Sequence, residues 1–333
     1  MTTSHEIRLR SRPTGAASLD NFELAEVQVA DPGPGEVQVR NLWMSVDPYM
    51  RARMNDSRSY IPPFEIGQPL LGDAVGEVRA SGDPAFQPGD IVHSGLGWRE
   101  VFNAPVGAFR KLDLRGLPAQ SFVGAAGMPG LTAYMGLTQA ASVKPSDVVF
   151  VSAAAGAVGS VACQIAKAMG CLVIGSAGGP EKVGFLKSIG VDHAIDYKAE
   201  PKLSAAILAG APDGIDVYFD NVGTDHLEAA LTAARKDARF ALCGVMSLSN
   251  TAQQPPGPRN LFMAIGKRIR LQGFTSAGFW DYAAPYHDLL LRWLDQGKFA
   301  FHETVYEGLD QAPAALLGVL DGRNLGKMVV KLA

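Results

Sequence analysis

The chain has 333 residues, of which 47% are hydrophobic and 19% charged, and its formal net charge is −3. This length favours two domains, and the composition supplies apolar surface for a large core. The near-neutral charge, without a basic block or acidic tail, argues against nucleic acid and anionic membranes as partners. The sequence lacks an apolar run of the roughly 20 residues that a membrane-spanning helix needs, and it lacks the apolar segment of a signal peptide, so we expect a cytoplasmic protein.

The first part of the chain, residues 1–125, is rich in Pro and Gly. Turn sequences such as ADPGPGEV and FQPGDIV separate short stretches with strand character. These stretches are residues 37–47, 74–81 and 90–95. We therefore expect a compact, mostly antiparallel β domain.

From about residue 126, short apolar runs alternate with segments of helical spacing. Six strands are predicted, at residues 148–153, 171–176, 193–197, 215–220, 239–244 and 269–274. Such alternation predicts an α/β domain with a doubly wound parallel sheet, because crossover helices cover both sheet faces. A further helix is expected over residues 282–299. The sequence leaves open whether residues 299–333 pack back on the first domain.

The sharpest motif follows the strand at residues 148–153. There the chain runs through Gly156, Ala157, Val158 and Gly159 into a helix, a relaxed dinucleotide fingerprint with Ala153 at the position of the usual first Gly. Gly156 would let the backbone approach a pyrophosphate, and Gly159 would let the helix pack close to the strand. Free N–H groups at the helix start would bind the phosphates. The alternative is a close-packed βα turn with no ligand.

The end of the next strand bears on the choice of nucleotide. NAD sites usually carry an acidic residue there, which binds the ribose hydroxyls. In this chain the strand ends in small neutral residues, Glu181 comes several residues late, and Lys182 lies beside it. The missing acid and the nearby cation favour NADP. For Lys182 the alternative is a solvated residue at a helix start.

Cysteine and histidine content bears on metal binding. The three cysteines, Cys163, Cys171 and Cys243, all lie after residue 160 and have no CxxC spacing, which argues against a disulfide framework and a structural zinc site. His5 and His93 are the only histidines among the first 160 residues. Because a catalytic zinc needs about three protein ligands, we expect no metal.

Beyond these features, an ordered set of motifs covers nearly the whole chain. They are SVDPYMRARM (45–54), GMPGLTAYMGL (127–137), AAAGAVGSVACQIAK (153–167), GGPEKV (178–183), YFDNVG (218–223), LCGVMS (242–247), PPGPRN (255–260), RLQGF (270–274) and NLGKMVVK (324–331). In this order they resemble the zinc-free medium-chain dehydrogenase/reductases, and among them the alkenal double-bond reductases, a group that includes prostaglandin (leukotriene) reductases and curcumin reductase.

The resemblance implies a fold, a cofactor and a reaction. The fold would be a GroES-like β domain over residues 1–125, an NADP-binding Rossmann domain over residues 126–298, and a segment over residues 299–333 that returns to the first domain. The protein would be a homodimer. NADPH would transfer hydride to the β-carbon of an α,β-unsaturated ketone or aldehyde, and donors aimed at the carbonyl oxygen would stabilise the enolate.

The resemblance also implies cofactor contacts, including Lys182 at the 2′-phosphate and Met128 and Thr132 near the nicotinamide. The complete set is Met128, Thr132, Gly156, Ala157, Val158, Gly159, Gly178, Lys182, Tyr197, Asn221, Cys243, Gly244, Val245, Ser247, Phe274, Thr275 and Asn324. Several have ordinary structural alternatives. Cys243 fits a small buried hydrophobe and Asn221 a turn residue, whereas Asn324 fits a turn cap and Tyr197 an amphipathic surface tyrosine.

On the substrate side the chain departs from the family. A tyrosine often follows the LCG strand, and this chain has Ser249 at that position. A serine hydroxyl is shorter, so it would act through water or a repositioned loop. Tyr49 and Tyr60 are the candidates to replace the phenol, and the nicotinamide ribose hydroxyl is another. The alternatives are a packing role for Tyr49 and a loop position for Tyr60. The competing functions are an NADPH quinone reductase and a non-catalytic NADPH sensor.

Overall fold

The structure is a computed structural model, and it describes residues 1–57, 61–245, 256–276 and 278–333. Within these ranges the chain forms two large β-sheets and a separate two-stranded hairpin. The strands are β1 (Thr2–Leu9), β2 (Phe22–Val29), β3 (Glu36–Ser45), β4 (Ala74–Ser81), β5 (Ile91–Ser94), β6 (Val101–Pro105), β7 (Arg110–Lys111), β8 (Val148–Val151), β9 (Leu172–Ala177), β10 (His193–Asp196), β11 (Ile215–Asp220), β12 (Ala234–Leu242), β13 (Arg270–Gly273), β14 (Glu303–Glu307) and β15 (Lys327–Lys331).

Most helices lie in the second half of the chain. They are α1 (Tyr49–Arg53), α2 (Met128–Met135), α3 (Ala157–Ala168), α4 (Pro180–Ser188), α5 (Leu203–Gly210), α6 (Thr224–Ala233), α7 (Met263–Lys267), α8 (Ala283–Asp295) and α9 (Ala312–Leu320). None of the helices in the described ranges is long and apolar enough to cross a lipid bilayer.

The first large sheet has seven strands, in the order β14-β15-β3-β4-β5-β7, with β6 also paired to β3. Its neighbouring strands are antiparallel except for β14 and β15, which are parallel. β15 pairs with β3 through Val329 opposite Ser45. The end of the chain therefore completes a sheet that the first 111 residues begin.

The second sheet has six parallel strands in the order β10-β9-β8-β11-β12-β13. The chain leaves β8 for β9 and β10 on one side and then returns to β11 on the other. Such a reversal forms a crevice at the carboxyl ends of β8 and β11, where doubly wound sheets bind ligands. The predicted α/β class and doubly wound parallel sheet are confirmed.

Two predicted boundaries differ from the structure by four or five residues. The helix expected over residues 282–299 ends at Asp295, because Gly297 adopts a positive φ of 65° that terminates it. The helical pattern before β12 ends at Ala233, and β12 begins at Ala234 rather than at residue 239. Ala234 pairs with Ile215 of β11, so tertiary pairing overrides the helical preference of alanine there.

The largest apolar core joins the two sheets. It contains Val75 and Val329 from the antiparallel sheet together with Val149 and Phe219 from the parallel sheet. The antiparallel sheet is therefore fixed against the parallel sheet beside the crevice.

Candidate active site

The turn between β8 and α3 forms the floor of the crevice. β8 is buried along its whole length, and Ala153 in the following turn has a positive φ of 46°. A Cβ added to Gly156 would meet one neighbour within 4 Å, the Ala153 carbonyl oxygen at 3.3 Å. A Cβ added to Gly159 would lie 2.3 Å from the same oxygen. Gly156 therefore leaves the turn open to a ligand, whereas Gly159 allows α3 to pack on the turn. Ala157 and Val158 form the first helical turn, whose N–H groups lack intrahelical partners.

Residues near the end of the chain support this turn from outside the parallel sheet. The Gly326 amide donates a hydrogen bond of 2.9 Å to the Ala155 carbonyl, and Gly156 forms an isolated bridge with Gly326. Asn324 is buried, and its Nδ2 donates to the Gly326 carbonyl at 2.7 Å. Asn324 thus caps its own turn and orders the segment that contacts the β8–α3 turn.

The carboxyl end of β11 is tied to the end of β8. The backbone amide of Asn221 donates to Ser152 Oγ at 2.9 Å, and its Nδ2 donates to the Ser152 carbonyl at 2.8 Å. Asp220 Oδ1 accepts hydrogen bonds from the amide of Gly223 at 2.7 Å and from the hydroxyl of Tyr218 at 2.7 Å. Burial raises the pKa of the Asp220 carboxyl, and these donors partly offset the increase. The hydrogen bonds of Asn221 therefore join the ends of β8 and β11, and those of Asp220 order the loop after β11.

Two lysines meet at the ends of β9 and β10. Lys182 in the first turn of α4 is half-buried, and burial first and then the charge of Lys198 lower its pKa. A Cβ added to Gly178 would lie 2.8 Å from Lys198 Cε and 3.1 Å from the Tyr197 hydroxyl. A Cβ added to Gly322 would lie 3.2 Å from Lys182 Nζ. This corner of the crevice therefore combines two positive charges, a hydroxyl and glycine backbone.

Tyr197 in this corner packs edge-to-face on His226, with the ring centroids 5.0 Å apart. His226 is buried, and its Nε2 has no hydrogen-bond partner among the described residues. Burial lowers the pKa of His226 to about 4, so the imidazole is neutral near pH 7. Neither His226 nor Lys198 was expected from the sequence. Lys198 could have been expected, because it directly follows the predicted Tyr197. Nothing in the sequence marks His226.

Helix α2 borders the crevice on another side. Met128 begins this helix. Thr132 is buried, and in the part of the chain that the structure describes its Oγ1 has no hydrogen-bond partner. The Phe274 ring packs edge-to-face on Phe219, at a centroid distance of 6.2 Å. A Cβ added to Gly136 would lie 2.6 Å from Phe274 Cζ. The Phe274 side chain thus belongs to the packing of this wall, and the Thr132 hydroxyl is available to a ligand.

Residues 243–245, directly after β12, lie beside the carboxyl end of β11. The amides of Cys243 and Gly244 donate to the Asp220 carbonyl, at 2.9 and 3.0 Å. Burial raises the pKa of the Cys243 thiol to about 12, so it remains protonated and apolar in character. Val245 is half exposed. Ser247, Ser249 and Tyr60 lie outside the described residues.

A buried ionic network lies beside Tyr49. Lys327 Nζ is 3.2 Å from Asp47 Oδ1 and donates to the carbonyls of Val46 and Met328, at 2.9 and 2.7 Å. Asp47 also accepts a hydrogen bond from Ser45. The network fixes the turn that precedes Tyr49. Sequence reasoning missed Lys327, although a lysine next to the apolar run MVV in the last strand was a usable signal.

The Tyr49 phenol is itself perturbed. Burial first, and then the charges of Asp47 and Asp73, raise its pKa well above the ordinary value. Arg53 donates a hydrogen bond to the phenol oxygen. Tyr49 therefore keeps its proton at neutral pH and can donate a hydrogen bond.

Comparison with protein families identifies both halves of the chain. Residues 5–112 match a family described as the N-terminal domain of oxidoreductase, and residues 157–292 match one described as zinc-binding dehydrogenase. The latter description requires a test for zinc. Across the described ranges, no group of three His, Cys, Asp or Glu side chains is arranged to hold a metal ion. Cys163 and Cys171 are buried in the core cluster instead. The donor set does not fit a zinc site.

Individual relatives match over nearly the whole chain. The 2-alkenal reductase (NADP(+)-dependent) of Nicotiana tabacum is 41% identical, over 99% of this chain and 98% of its own length. The NADPH-dependent curcumin reductase of Escherichia coli is 38% identical, over 98% and 96%. The crystal structure of CurA from Vibrio vulnificus in complex with NADPH has a TM-score of 0.92 and 38% identity, and the match covers 99% of both chains. The chain therefore belongs to the medium-chain dehydrogenase/reductases, in the family of the alkenal double-bond reductases.

Proposed function

We propose that this protein is an NADPH-dependent reductase of the carbon–carbon double bond in α,β-unsaturated ketones and aldehydes. The observation that carries the proposal is the β8–α3 turn, open at Gly156 and flanked by the paired cations Lys182 and Lys198. The end-to-end similarity to reductases named for alkenals and curcumin supports the same substrate class.

The residues of the crevice fit the phosphates of NADPH. The N–H groups of Ala157 and Val158 at the start of α3 would bind the pyrophosphate, because a helix N-terminus carries unpaired donors and partial positive charge. Lys182 and Lys198 would bind the 2′-phosphate, with Tyr197 beside them. A phosphate there would relieve the repulsion between the two ammonium groups, and NADH could not provide that relief.

The other proposed contacts surround this core of the site. Gly178 leaves room for the adenosine end, while Asn221 and Asn324 order the loops that border the nucleotide. Met128 and Thr132 would lie on the nicotinamide side with the Phe274–Thr275 backbone. Cys243, Gly244 and Val245 would contact the cofactor mainly through backbone groups, since burial holds the Cys243 thiol protonated. Ser247 remains a prediction from the resemblance.

Bound NADPH would supply a hydride to the β-carbon of the substrate, and the carbonyl oxygen would gain negative charge. Tyr49 can donate a hydrogen bond to such an oxygen, because its raised pKa keeps the phenol protonated. The same raised pKa makes Tyr49 a weak acid, so water or another hydroxyl would donate the proton that the α-carbon takes up. Tyr60 and Ser249 remain predictions for this step. The apolar walls around α2 would exclude bulk water from the reacting atoms.

The test is a set of steady-state assays on the purified protein. NADPH oxidation is measured with a series of enones and enals and with simple quinones, and the products are identified by mass spectrometry. The proposal predicts products whose carbon–carbon double bond is saturated. Turnover of quinones alone would support a quinone reductase, and tight NADPH binding without turnover of any acceptor would support a sensor. Either result would contradict the proposal.

We also propose that two copies of the chain associate through β13. β13 is the last strand of the parallel sheet, and within the described ranges its second edge pairs with no other strand. Next to it Phe262 and Ile265 are 71% and 82% exposed. An unpaired edge beside exposed apolar side chains suits a symmetric partner of the same chain. Light scattering should give the mass of two chains, and Ile265→Lys should shift it toward one.

The cytoplasm is the proposed location of the protein. Its three cysteines are unpaired thiols, and the cytoplasm keeps thiols in that state. Fractionation of cells that express the protein from its own gene tests this location.

A further inference from the structure

Tyr197 and His226 form a contact between two separate parts of the parallel sheet. Tyr197 directly follows β10, and His226 lies in the first turn of α6, which follows β11. In the sheet, β9 and β8 lie between these two strands. The two rings nevertheless pack edge-to-face, with their centroids 5.0 Å apart. The contact therefore connects the carboxyl ends of β10 and β11, at the edge of the sheet where the crevice lies.

The backbone of His226 is held by the loop after β11. The Asp220 carboxylate accepts a hydrogen bond of 2.7 Å from the Gly223 amide, and the Gly223 carbonyl accepts one of 3.1 Å from the His226 amide. The side chain of His226 is buried, with 7% of the residue's surface exposed. His226 thus has a fixed position, and a ring that packs on it is restrained.

His226 contacts Tyr197 as a neutral aromatic ring. Burial lowers the pKa of the imidazole to about 4, and within the described ranges its Nε2 forms no hydrogen bond. The contact with Tyr197 therefore depends on the shape of the ring and on the edge-to-face geometry that aromatic pairs prefer. A phenyl ring at position 226 should retain both properties, whereas a leucine side chain loses the geometry.

The Tyr197 side chain has few other restraints. The residue is 39% exposed, and among the described residues its hydroxyl has no hydrogen-bond partner. Its backbone is ordered, because Asp196 Oδ1 accepts hydrogen bonds from the amides of Gly179 and Lys198, at 2.9 and 3.1 Å. The side-chain torsions of Tyr197 remain to be fixed, and the His226 ring restricts them.

This restraint bears on the corner of the two lysines. A Cβ added to Gly178 would lie 3.1 Å from the Tyr197 hydroxyl and 2.8 Å from Lys198 Cε, so the hydroxyl and the lysine side chain flank the same glycine. A hydroxyl that donates to a phosphate forms a charge-assisted hydrogen bond, which is stronger than a bond between neutral groups. A tyrosine that rotates freely loses part of this gain, because its side chain must be ordered when the phosphate binds.

We propose that His226 is a positioning residue for the choice of cofactor: its ring orients the Tyr197 phenol so that the hydroxyl donates a hydrogen bond to the 2′-phosphate of NADPH. The inference rests on the 2′-phosphate site that the proposed function assigns to Lys182 and Lys198. It adds a residue that does not touch the phosphate and acts through Tyr197.

Calorimetric titration with NADPH and with NADH tests the proposal. The readout is the ratio of the two dissociation constants, because a smaller fraction of binding-competent protein weakens both nucleotides equally. His226→Leu should lower the preference for NADPH about fivefold, the effect of losing one edge-to-face pair, and His226→Phe should keep it within about twofold. His5→Leu, which changes a partly exposed histidine of the hairpin, is the control and should keep the full preference.

A double variant shows whether His226 acts through Tyr197. Tyr197→Phe should lower the preference for NADPH about tenfold, the effect of one lost hydrogen bond to a charged group. Addition of His226→Leu to Tyr197→Phe should change the preference by no more than about twofold, because the hydroxyl that His226 orients is already absent. A further fivefold loss in the double variant would contradict a role through Tyr197.

The outcomes separate this inference from the proposals on which it rests. Retention of the full NADPH preference in His226→Leu would overturn the inference and leave the 2′-phosphate site intact. Equal affinity of the unmodified protein for both nucleotides would overturn both. Binding is measured without substrate, so a lack of enone turnover would contradict the proposed reaction alone. If His226→Leu fails to fold, His226→Met takes its place and the same ratio decides.

Discussion

The nucleotide side and the substrate side of the crevice are built differently. On the nucleotide side, the turn proposed for the pyrophosphate consists mainly of backbone and small residues of one βα unit, with Gly156 and Gly159 at fixed spacing. The substrate side combines side chains from distant parts of the chain, as in the contact of Lys327 with Asp47. Local spacing is sufficient to form the former, whereas the latter requires the complete tertiary fold. Substitutions on the two sides should therefore change different measured properties of the protein.

The largest effect is expected where the substrate side depends on buried charge. Lys327→Met leaves the Asp47 carboxylate buried without its counter-charge, so the free energy of unfolding should fall by about 3–5 kcal/mol. Urea unfolding followed by circular dichroism measures it. Lys331→Met changes an exposed lysine of the same strand and should cost less than about 0.5 kcal/mol. Similar small losses for both variants would mean that the network contributes little to stability.

The second prediction concerns pH and the buried His226 on the nucleotide side. Its pKa is about 4 in the folded protein, compared with 6.5 ordinarily. Between these values the unfolded chain binds a proton that the folded protein does not. Stability should therefore be constant above pH 6.5 and fall as the pH drops to 4, by up to about 3 kcal/mol from this group.

The variant His226→Leu should remove that part of the pH dependence. His5→Leu, which changes a partly exposed histidine of the hairpin, is the control. Urea unfolding at a series of pH values compares the three proteins. An unchanged pH dependence in His226→Leu would show that the imidazole is not held neutral by burial.

The third prediction tests the close packing of α3. Gly159→Ala places a Cβ 2.3 Å from the Ala153 carbonyl, so the turn must shift, with a stability cost of about 1–3 kcal/mol and weaker NADPH binding. Gly184→Ala is the control, because its Cβ meets no neighbouring heavy atom within 4 Å in α4, and it should gain about 0.5–1 kcal/mol. Thermal unfolding and NADPH titration report both effects. A neutral Gly159→Ala would contradict the packing requirement.

The fourth prediction concerns the choice of cofactor rather than stability. Lys182→Ala should weaken NADPH binding by about 1–3 kcal/mol, the range for hydrogen bonds to charged groups, and leave NADH binding nearly unchanged. Calorimetric titration with both nucleotides measures this difference. Lys187→Ala, on the exposed part of α4, should change neither. Equal losses of affinity for NADPH and NADH would show that Lys182 does not bind the 2′-phosphate.

The smallest effect is expected at the proposed carbonyl donor. Tyr49→Phe should lower kcat about tenfold and leave NADPH affinity unchanged, because water or the ribose hydroxyl can partly replace the phenol. Tyr306→Phe in β14 is the control and should keep full activity. Unchanged turnover of Tyr49→Phe would limit Tyr49 to packing.

Sequence patterns predicted the parallel sheet well, because each strand is a short buried run and each helix has its own periodicity. They also marked the β8–α3 turn, whose chemistry depends on residue spacing along one segment. The pairing of β15 with β3 was left open, since pairing between the chain ends leaves no local trace. The end of α8 was misplaced because the apolar Phe299 continues the pattern after Gly297 has ended the helix.

Site residues that depend on tertiary contacts were harder to predict. Asn221 and Asn324 were expected at the cofactor, and both donate hydrogen bonds that order the crevice. The pairs formed by Lys327 with Asp47 and by His93 with Asp73 join residues separated by hundreds or tens of positions. A single sequence contains no signal for the pairing of such distant residues.

Titration of the unaltered protein with NADPH and with NADH tests the central claim most directly. The account predicts saturable binding of NADPH, at least about tenfold tighter than that of NADH, because Lys182 and Lys198 meet a phosphate that NADH lacks. Absence of NADPH binding at millimolar concentration, or equal affinity for the two nucleotides, would contradict it.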